Sequence, residues 1–516
     1  MTRVNMKKGT SISRLAVFLT GMAALLLATT TRAAVPGITG PTFNLSAETG
    51  YISQPDGAMV YSWGYACFGQ QPNAVPTAIS GSCPDRNMQL PGPTLIVHEG
   101  EHVIVHLTNN LPGAAGSTSI LFPGFQVTPT GGIQGLLTQE ATHGFSVTYE
   151  FDATTPGTRA YYSGTQGDLQ VEMGLFGVII VLPNTVPTGC RAAAGGNLLD
   201  GQPDYRLAAS AYDHSATCYD REYLFQFSEM DPKIHRQAQE QADIACSNPA
   251  GCMNIVTENY HPAYYMINGR SMPDDMDPNF ASEYPHQPYN GNPHMHPGEL
   301  VLLRVVGQGR WQHPFHEHGN HVRVLARDGN LILSATDPTK LAGPLLFTTT
   351  TTPGLAMDGI FYWTGKGLNW DVYGHGFPGD KSVCIPDQNG YYTQDPMAPN
   401  YYEWCADHNK ALEKAPFGEV ASNGPVTLPD PNILTNGTWY GGSAYLGPDA
   451  TVRATGPTGT TPPSGTVANP PSSEAGFAFM WHSHNEREIT TNNIFPGGMM
   501  MMMLVDPQAY QINEAN

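Results

Sequence analysis

Charged residues are scarce in this sequence, and positive ones are the scarcest. Only 13% of the 516 residues are Asp, Glu, Lys or Arg, which is about half the share usual in soluble proteins. The 24 Lys and Arg are outnumbered by 44 Asp and Glu, so the formal net charge is −20. A surface of this sign repels polyanions and attracts cations, which excludes nucleic acid and anionic lipid as partners.

Long helical patterns and long apolar runs are also missing. No apolar pattern at helical period continues for more than about three turns, while the 56 Gly and 44 Pro favour short strands and turns. One apolar stretch, residues 15–28, follows a basic start and is too short to span a bilayer, so residues 1–33 are predicted to be a secretory signal peptide. We expect a mainly β protein without a membrane span, exported to the periplasm or the extracellular surface.

The cysteines lie away from the histidine clusters described below. An even number of them, eight, predicts disulfides in an exported chain. Pairing neighbours in the sequence is the simplest arrangement and gives four short loops: Cys67–Cys83, Cys190–Cys218, Cys246–Cys252 and Cys384–Cys405. Since no cysteine accompanies the histidines, a thiolate metal ligand is not expected there.

Histidines are concentrated in two strand-like segments. The first, Trp311–His321, contains His316 and His318, and the second, Phe477–His484, contains His482 and His484. Residues two apart on a strand point to the same face, so each segment presents a pair of imidazoles. Imidazole is the commonest side-chain ligand for copper and zinc. If the two strands are neighbours, these four histidines form a metal site; otherwise the pairs lie on two separate solvated faces.

Other residues nearby can complete such a site. Each of them lies within a few residues of one of the two histidine pairs: His313, His321, Glu317, Glu486 and Glu488. The methionine run Met499–Met503 also offers soft ligands for Cu(I), but we predict that it packs in the core as a strand.

The chain is predicted to have two β domains. Residues 40–185 form the first and residues 221–510 the second, with a linker at 186–220 between them. Within the second domain, the Tyr- and Trp-rich residues 366–440 are predicted to be an ordered insertion, and residues 446–474, rich in Gly, Pro, Thr and Ser, a flexible loop.

Several motifs resemble the multicopper oxidase (laccase-type) family. They occur in the family's order, at Pro91–Thr94, Glu99–Glu101, Pro156–Thr158, His313–Gly319 and His482–His484. The resemblance implies tandem cupredoxin-like Greek-key β-sandwiches of the two-domain type. It also implies roles for the histidines: His313 at the blue-copper (type 1) site, His316 at type 2, and His318, His482 and His484 at type 3.

The family's copper ligands are incomplete in this chain. The first-domain motifs, which carry two histidines each in the family, read Leu121 and Pro123 in one and Tyr162 and Gly164 in the other. The cysteine that binds the blue copper is replaced by Ser483, and a further blue-copper histidine by Glu488. Because a serine hydroxyl cannot replace the soft thiolate, the chain is not expected to be a conventional laccase.

The resemblance and the losses together predict a reduced, all-histidine site in the second domain. Copper is the expected metal, with zinc next and manganese a further alternative. Three functions follow: a copper-dependent oxidoreductase acting on a small phenol or a metal ion, a non-catalytic copper-binding or storage protein, or a structural protein of the cell surface. Two-domain relatives build their clusters between subunits, which implies a homotrimer.

Overall fold

A computed structural model describes most of the chain. The described residues are 34–69, 74–75, 83–190, 204, 206–366, 385–396, 402, 405, 442–445, 451–452, 467–468, 476–506, 510 and 512. The predicted signal peptide lies outside them, as do most of the predicted insertion at 366–440 and most of the predicted loop at 446–474.

Two five-stranded sheets form the N-terminal sandwich. Its strands are β1 (Gly37–Thr39), β2 (Thr42–Ser53), β3 (Met59–Cys67), β4 (Ala74–Val75), β5 (Leu95–His98), β6 (His102–Asn109), β7 (Thr128–Gly131), β8 (Ile133–Gln134), β9 (Gln139–Glu140), β10 (Ser146–Asp152), β11 (Gly157–Tyr162) and β12 (Phe176–Leu182). One sheet has the order β11-β12-β5-β1-β4 and the other β3-β2-β6-β10-β7, while β8 and β9 form a separate hairpin.

Two larger sheets form the C-terminal sandwich. Its strands are β13 (Arg221–Met230), β14 (Tyr264–Ile267), β15 (His294–Met295), β16 (Leu300–Gly307), β17 (His313–Glu317), β18 (Val322–Arg327), β19 (Asn330–Leu331), β20 (Leu345–Leu346), β21 (Thr348–Thr351), β22 (Ala356–Tyr362), β23 (Gly442–Tyr445), β24 (Thr451–Val452), β25 (Val467–Ala468), β26 (Gly476–Ser483) and β27 (Met500–Val505). One sheet has the order β14-β13-β16-β22-β18-β19, with β20 beside β18; the other has the order β15-β27-β26-β17-β21, with β23 beside β26, and β24 pairs with β25 apart from both.

Helices are short in the described part of the chain. They are α1 (Gly167–Gln170) and α2 (Pro232–Gln241), with 3-10 turns at Gly113–Ala115, Ser215–Thr217 and Asp274–Met276. The Asp231 side chain caps α2 by accepting from the Lys233 N–H, and a proline occupies the first turn, which is a favourable helix start. No helix among the described residues is long and apolar enough to cross a membrane.

Each sandwich encloses its own apolar core. Leu95 and Ile179 of one N-terminal sheet meet Phe43 and Val105 of the other. In the C-terminal sandwich, residues of β13, β16 and β22 meet Phe315, Trp481 and alternate residues of the methionine run. Met499, Met501 and Met503 are fully buried there, so the prediction that this run packs in the core is confirmed.

The sandwiches join through the sheets that hold β12 and β16. Val178 and Ile180 on one side pack with Leu224 and Val306 on the other. The molecule therefore has four β layers, and the mainly β, tandem cupredoxin-like architecture is confirmed. The domain boundaries at 40–185 and 221–510 remain predictions.

Three disulfides match the predicted pairing of sequence neighbours. They are Cys67–Cys83, Cys190–Cys218 and Cys246–Cys252. Cys384 of the fourth predicted pair lies outside the described residues.

Candidate metal centre

The pairing of β17 with β26 brings the two histidine segments together. The strands are antiparallel, with Phe315 opposite Ser483 and His316 opposite His482. Phe315 and Trp481 are fully buried in the C-terminal core. Since side chains alternate along a strand, His316 and His482 point to the opposite face, away from the N-terminal sandwich.

Three imidazoles converge on this face. Ligand atoms of His316, His318 and His482 all lie within 4.8 Å of one another. The Nε2 atoms of His318 and His482 are 3.3 Å apart. Two nitrogens bound tetrahedrally to one ion at bonds of about 2.0 Å stand about 3.3 Å apart, so this pair already has the spacing of two ligands of a single metal.

Hydrogen bonds orient two of these rings. Nδ1 of His482 is 2.7 Å from the carbonyl oxygen of Ser483; because a carbonyl only accepts, Nδ1 carries the proton and a neutral ring has its lone pair on Nε2. Nδ1 of His316 is 2.7 Å from the Thr348 hydroxyl on the neighbouring strand β21. Each ring thus has one nitrogen held by the protein and the other available for a metal.

The local electrostatics favour uncharged rings. Burial, together with the neighbouring imidazoles of His318, His482 and His484, lowers the pKa of His316 to about 4. Burial likewise lowers the pKa of His482. Metal binding requires the neutral imidazole, so these two histidines do not have to release a proton at neutral pH before they coordinate an ion.

His484 and Glu486 lie at the solvent edge of the group. The His484 ring centroid is 4.8 Å from that of His316 and 5.4 Å from that of His482. Its Nδ1 is 3.5 Å from a Glu486 oxygen, and the two side chains are 51% and 73% exposed. His321 is also exposed, with its ring against Phe347, 5.0 Å away. The structure therefore places His484 beside the three-histidine group and His321 behind a phenylalanine.

His313 and Glu488 do not join the group, because they bind each other in the interior. Nδ1 of His313 is 2.8 Å from Glu488, and Nε2 is 2.9 Å from Glu229. Burial lowers the pKa of His313, but the hydrogen bonds and charges of the two glutamates outweigh it and raise the pKa to about 9. His313 is therefore an imidazolium between two carboxylates, and neither of its nitrogens is available to copper.

Glu317 is likewise held away from the histidines by strand alternation. It follows His316 and so points to the opposite face, where Thr349 donates to its carboxyl at 3.0 Å. It is 1% exposed, and burial raises its pKa well above the usual range. The structure thus does not bring this predicted additional ligand to the group.

Ser483 lies where the resemblance places the blue-copper cysteine. Its hydroxyl donates to Glu488 at 2.5 Å, and it is fully buried. The space that the family uses for a blue copper thus contains a hydrogen-bonded cluster of Ser483, Glu488, His313 and Glu229.

The first-sandwich positions lie together, but not with the histidines. Leu121 and Tyr162 form an antiparallel bridge. A Cβ added at Gly164 would be 2.8 Å from the Leu121 side chain, so leucine occupies the room that a larger residue at 164 needs. Pro123 is half-buried two residues further on. These positions border the junction of the two sandwiches, whereas the imidazoles are on the far face of the outer sheet.

Two important residues were missed by sequence reasoning. Thr348, which orients His316, and Glu229, which binds His313, belong to other strands and are distant in sequence. For Glu229 a signal was present: it is a carboxylate on the face of β13 that also carries Tyr223, Phe225 and Phe227. For Thr348 no signal exists, because it lies in a run of five consecutive threonines.

The chain is similar to fungal laccases over part of its length. Residues 74–185 match a family model described as multicopper oxidase. A segment of 100 residues is 35% identical to Laccase abr2 of Aspergillus fumigatus, and covers 19% of this chain and 16% of that protein. A segment of 110 residues is 33% identical to Laccase-2 of Botryotinia fuckeliana, and covers 21% of this chain and 18% of that protein. The matches thus span under a fifth of these relatives' own length.

Among solved structures, the protein titled Multicopper Oxidase mgLAC aligns with 92% of this chain and 88% of its own, at 16% identity and a TM-score of 0.45. The similarity in sequence is carried by residues 74–185 and by the laccase segments. Over residues 74–185 the chain thus matches the multicopper oxidase family, and over about a fifth of its length it is similar to laccases.

Proposed function

We propose that this chain is an exported copper-binding protein with a reduced, all-histidine site in its C-terminal sandwich and no blue-copper centre. The observation that carries the proposal is the 3.3 Å separation of the His318 and His482 Nε2 atoms beside His316. His316, His318 and His482 would hold the ion, with His484 at the edge.

Copper fits this donor set better than the other metals considered. Imidazole nitrogens suit Cu(II) and Zn(II), and copper binds more tightly in the order of divalent metals. Manganese prefers carboxylates, but Glu317 and Glu488 are engaged elsewhere. The similarity of residues 74–185 to multicopper oxidases also favours copper.

An oxidoreductase is the activity that the geometry favours. Three protein ligands leave a coordination position for substrate, as in catalytic rather than structural metal sites. A bound copper there would supply one-electron redox chemistry, and a small phenol or a metal ion would be the substrate. Conventional laccase turnover is not proposed, since Ser483 offers no thiolate and the first-sandwich positions offer no imidazole.

A non-catalytic copper-binding or storage protein is the second candidate. The imidazolium His313 and its glutamates occupy the position through which electrons enter in the family. Without that entry, the site would bind copper and release it unchanged.

Export is supported by the disulfides. Three bonded pairs are typical of an oxidising compartment. The periplasm and the extracellular surface both meet this condition.

Metal analysis of the purified protein tests the site. After folding with copper, zinc and manganese together, the protein should retain copper, while His316→Ala and His482→Ala should lose at least about tenfold in affinity. His102→Ala, which removes an exposed histidine of the first sandwich, is the matched control and should bind normally. Retention of copper by both site variants, or wild-type protein that stays metal-free, would contradict the proposal.

Optical spectra and turnover then separate the candidates. The copper-loaded protein should show no strong thiolate band near roughly 600 nm. Oxidation of a phenol or Mn(II), lost in His316→Ala, supports the oxidoreductase. Stoichiometric copper without turnover supports storage.

A further inference from the structure

A cavity of about 620 Å³ opens where the two sandwiches meet. Leu121, Tyr162 and Gly164 line it from the N-terminal side, and Gly309 and Pro353 from the C-terminal side. Pockets of this size at a domain junction are typical of small-molecule sites. This cavity is separate from the histidine group, and its walls include three of the positions where the family carries metal ligands.

The described walls offer no imidazole or thiolate to a metal, but they can hold an apolar body. Leu121 covers Gly164, and Val171, Pro249 and Ala250 continue the apolar lining. The turn of the β8–β9 hairpin adds Leu136 and Leu137, which are 92% and 64% exposed. Two adjacent leucines so exposed beside a cavity favour a ligand that covers them.

Two polar groups of the lining remain without partners. Within the described part of the chain, the Glu140 carboxylate makes no hydrogen bond or ion pair, and the Tyr162 hydroxyl makes no hydrogen bond. By contrast, the lining residue Gln308 donates to Gly177 and Gln226. Glu140 and Tyr162 therefore offer an acceptor and a donor to a ligand.

The negative charge of the lining favours a positively charged ligand. Glu140 is acidic, and none of the described lining residues is Lys, Arg or His. An anion would meet a carboxylate without a compensating cation, whereas an ammonium group would pair with it. The net charge of −20 acts in the same direction by raising the local concentration of cations.

We propose that this cavity binds a small organic cation with an apolar body, its ammonium group on Glu140 and its body against Leu121, Leu136 and Leu137. The site is independent of copper, so its failure would leave the metal proposal untouched.

Three fluorescent probes of one size test the proposal on the full chain. Each joins a dansyl group to an alkyl chain that ends in an ammonium, a methyl or a carboxylate group. The ammonium probe should bind saturably and at least about tenfold more tightly than the carboxylate probe, a difference of about 1.4 kcal/mol. Equal binding of the three, or no saturable binding of the ammonium probe, would overturn the proposal.

Two variants locate the site. Glu140→Gln should bring the ammonium and methyl probes to similar affinity, whereas Glu240→Gln, the same change on the exposed face of α2, should leave the preference intact. Ala250→Trp fills the cavity from an exposed position and should weaken all three probes about tenfold, with its unfolding midpoint unchanged to show that it folds. Variants that bind like the wild type would place the probes elsewhere and overturn the assignment.

Sedimentation tests whether a second copy of the chain, rather than a small molecule, occupies the cavity. If probe stoichiometry falls while the sedimentation coefficient grows as the protein is concentrated, a second copy of the chain occupies the cavity, which would also overturn the proposal. A stoichiometry independent of protein concentration supports it.

Discussion

His313 shows how a protonated side chain can occupy the position that the resemblance to multicopper oxidases gives to a metal ligand. Its ring bridges Glu229 and Glu488, both nearly fully buried. Two buried carboxylates with no cation between them would be costly, and the protonated imidazole supplies that cation. The buried position thus keeps a positive charge, carried by a proton instead of copper.

The stability of the protein should therefore fall at alkaline pH. Since the folded pKa of His313, about 9, is above its ordinary value of 6.5, its stabilisation is complete below pH 6.5 and is lost as the pH rises through 9, on the order of 3 kcal/mol. Denaturant unfolding of the wild type and of His313→Gln at several pH values measures this. The difference between the two proteins should shrink between pH 6.5 and 9.5, and a constant difference would contradict the prediction.

Thr348 should control copper affinity without touching the ion. Its hydroxyl holds Nδ1 of His316, and removal of such an orienting partner typically weakens metal binding 10- to 100-fold. Thr348→Val should show that loss in a copper titration. Thr350→Val changes an exposed threonine of the same strand and is the control, for which we expect wild-type affinity.

At the scale of elements, the positions of the strands could largely be predicted from the sequence. The contacts that side chains make between strands could be predicted only in part. The alternating apolar pattern around His316 and His482 predicted strands and the faces of their side chains, since one face must be buried. The motif order of the family predicted the two sandwiches. By contrast, the sequence did not show that Glu229 would reach His313, because that contact depends on a strand distant in sequence. The position of Glu317 opposite to His316 follows from alternation along β17, and the prediction of Glu317 as an additional ligand did not use that signal.

The turn after β11 contains Gly164, at a position where the multicopper oxidase motif has a histidine and where Leu121 now packs. Stability measurements should show whether the two side chains compete for the same space. Gly164→His, which introduces the residue of the multicopper oxidase motif, should cost about 1–3 kcal/mol of unfolding free energy because its Cβ meets Leu121. Leu121→Ala in the same chain should recover part of that loss. Urea unfolding of the two single variants and the double variant measures the coupling, and strictly additive effects would show that the two side chains do not interact.

At the scale of the whole molecule, a buried polar cluster fastens the two sandwiches together. Asp358 of β22 accepts from the Thr158 hydroxyl at 2.6 Å and from the Tyr212 hydroxyl at 2.5 Å. Arg304 donates to Thr158 at 3.0 Å and to Glu222 at 2.9 Å. Burial lowers the pKa of Arg304, but Glu222 and Asp358 outweigh it and raise that pKa above its usual value. The junction therefore depends on charge as well as on apolar contact.

Removal of Asp358 should separate the unfolding of the two halves. Asp358→Ala leaves Thr158 and Tyr212 without their acceptor and should cost about 3–5 kcal/mol. Calorimetry should then show two transitions where the wild type shows one. Asp337→Ala, at a partly exposed pair with Lys340, should leave the wild-type profile.

The register of β17 on β26 has a consequence for how the protein is made. His318 and His482 are 164 residues apart, and a slip by one residue on either strand would turn its rings into the core. A nascent chain that ends before β26 has only His316 and His318 of the three-histidine group. In a chain with misaligned strands the three imidazoles do not converge. Uptake of the ion would thus require that β26 has been synthesised and is paired with β17 in the correct register. A metal-loaded molecule would therefore be one whose C-terminal sandwich has folded correctly.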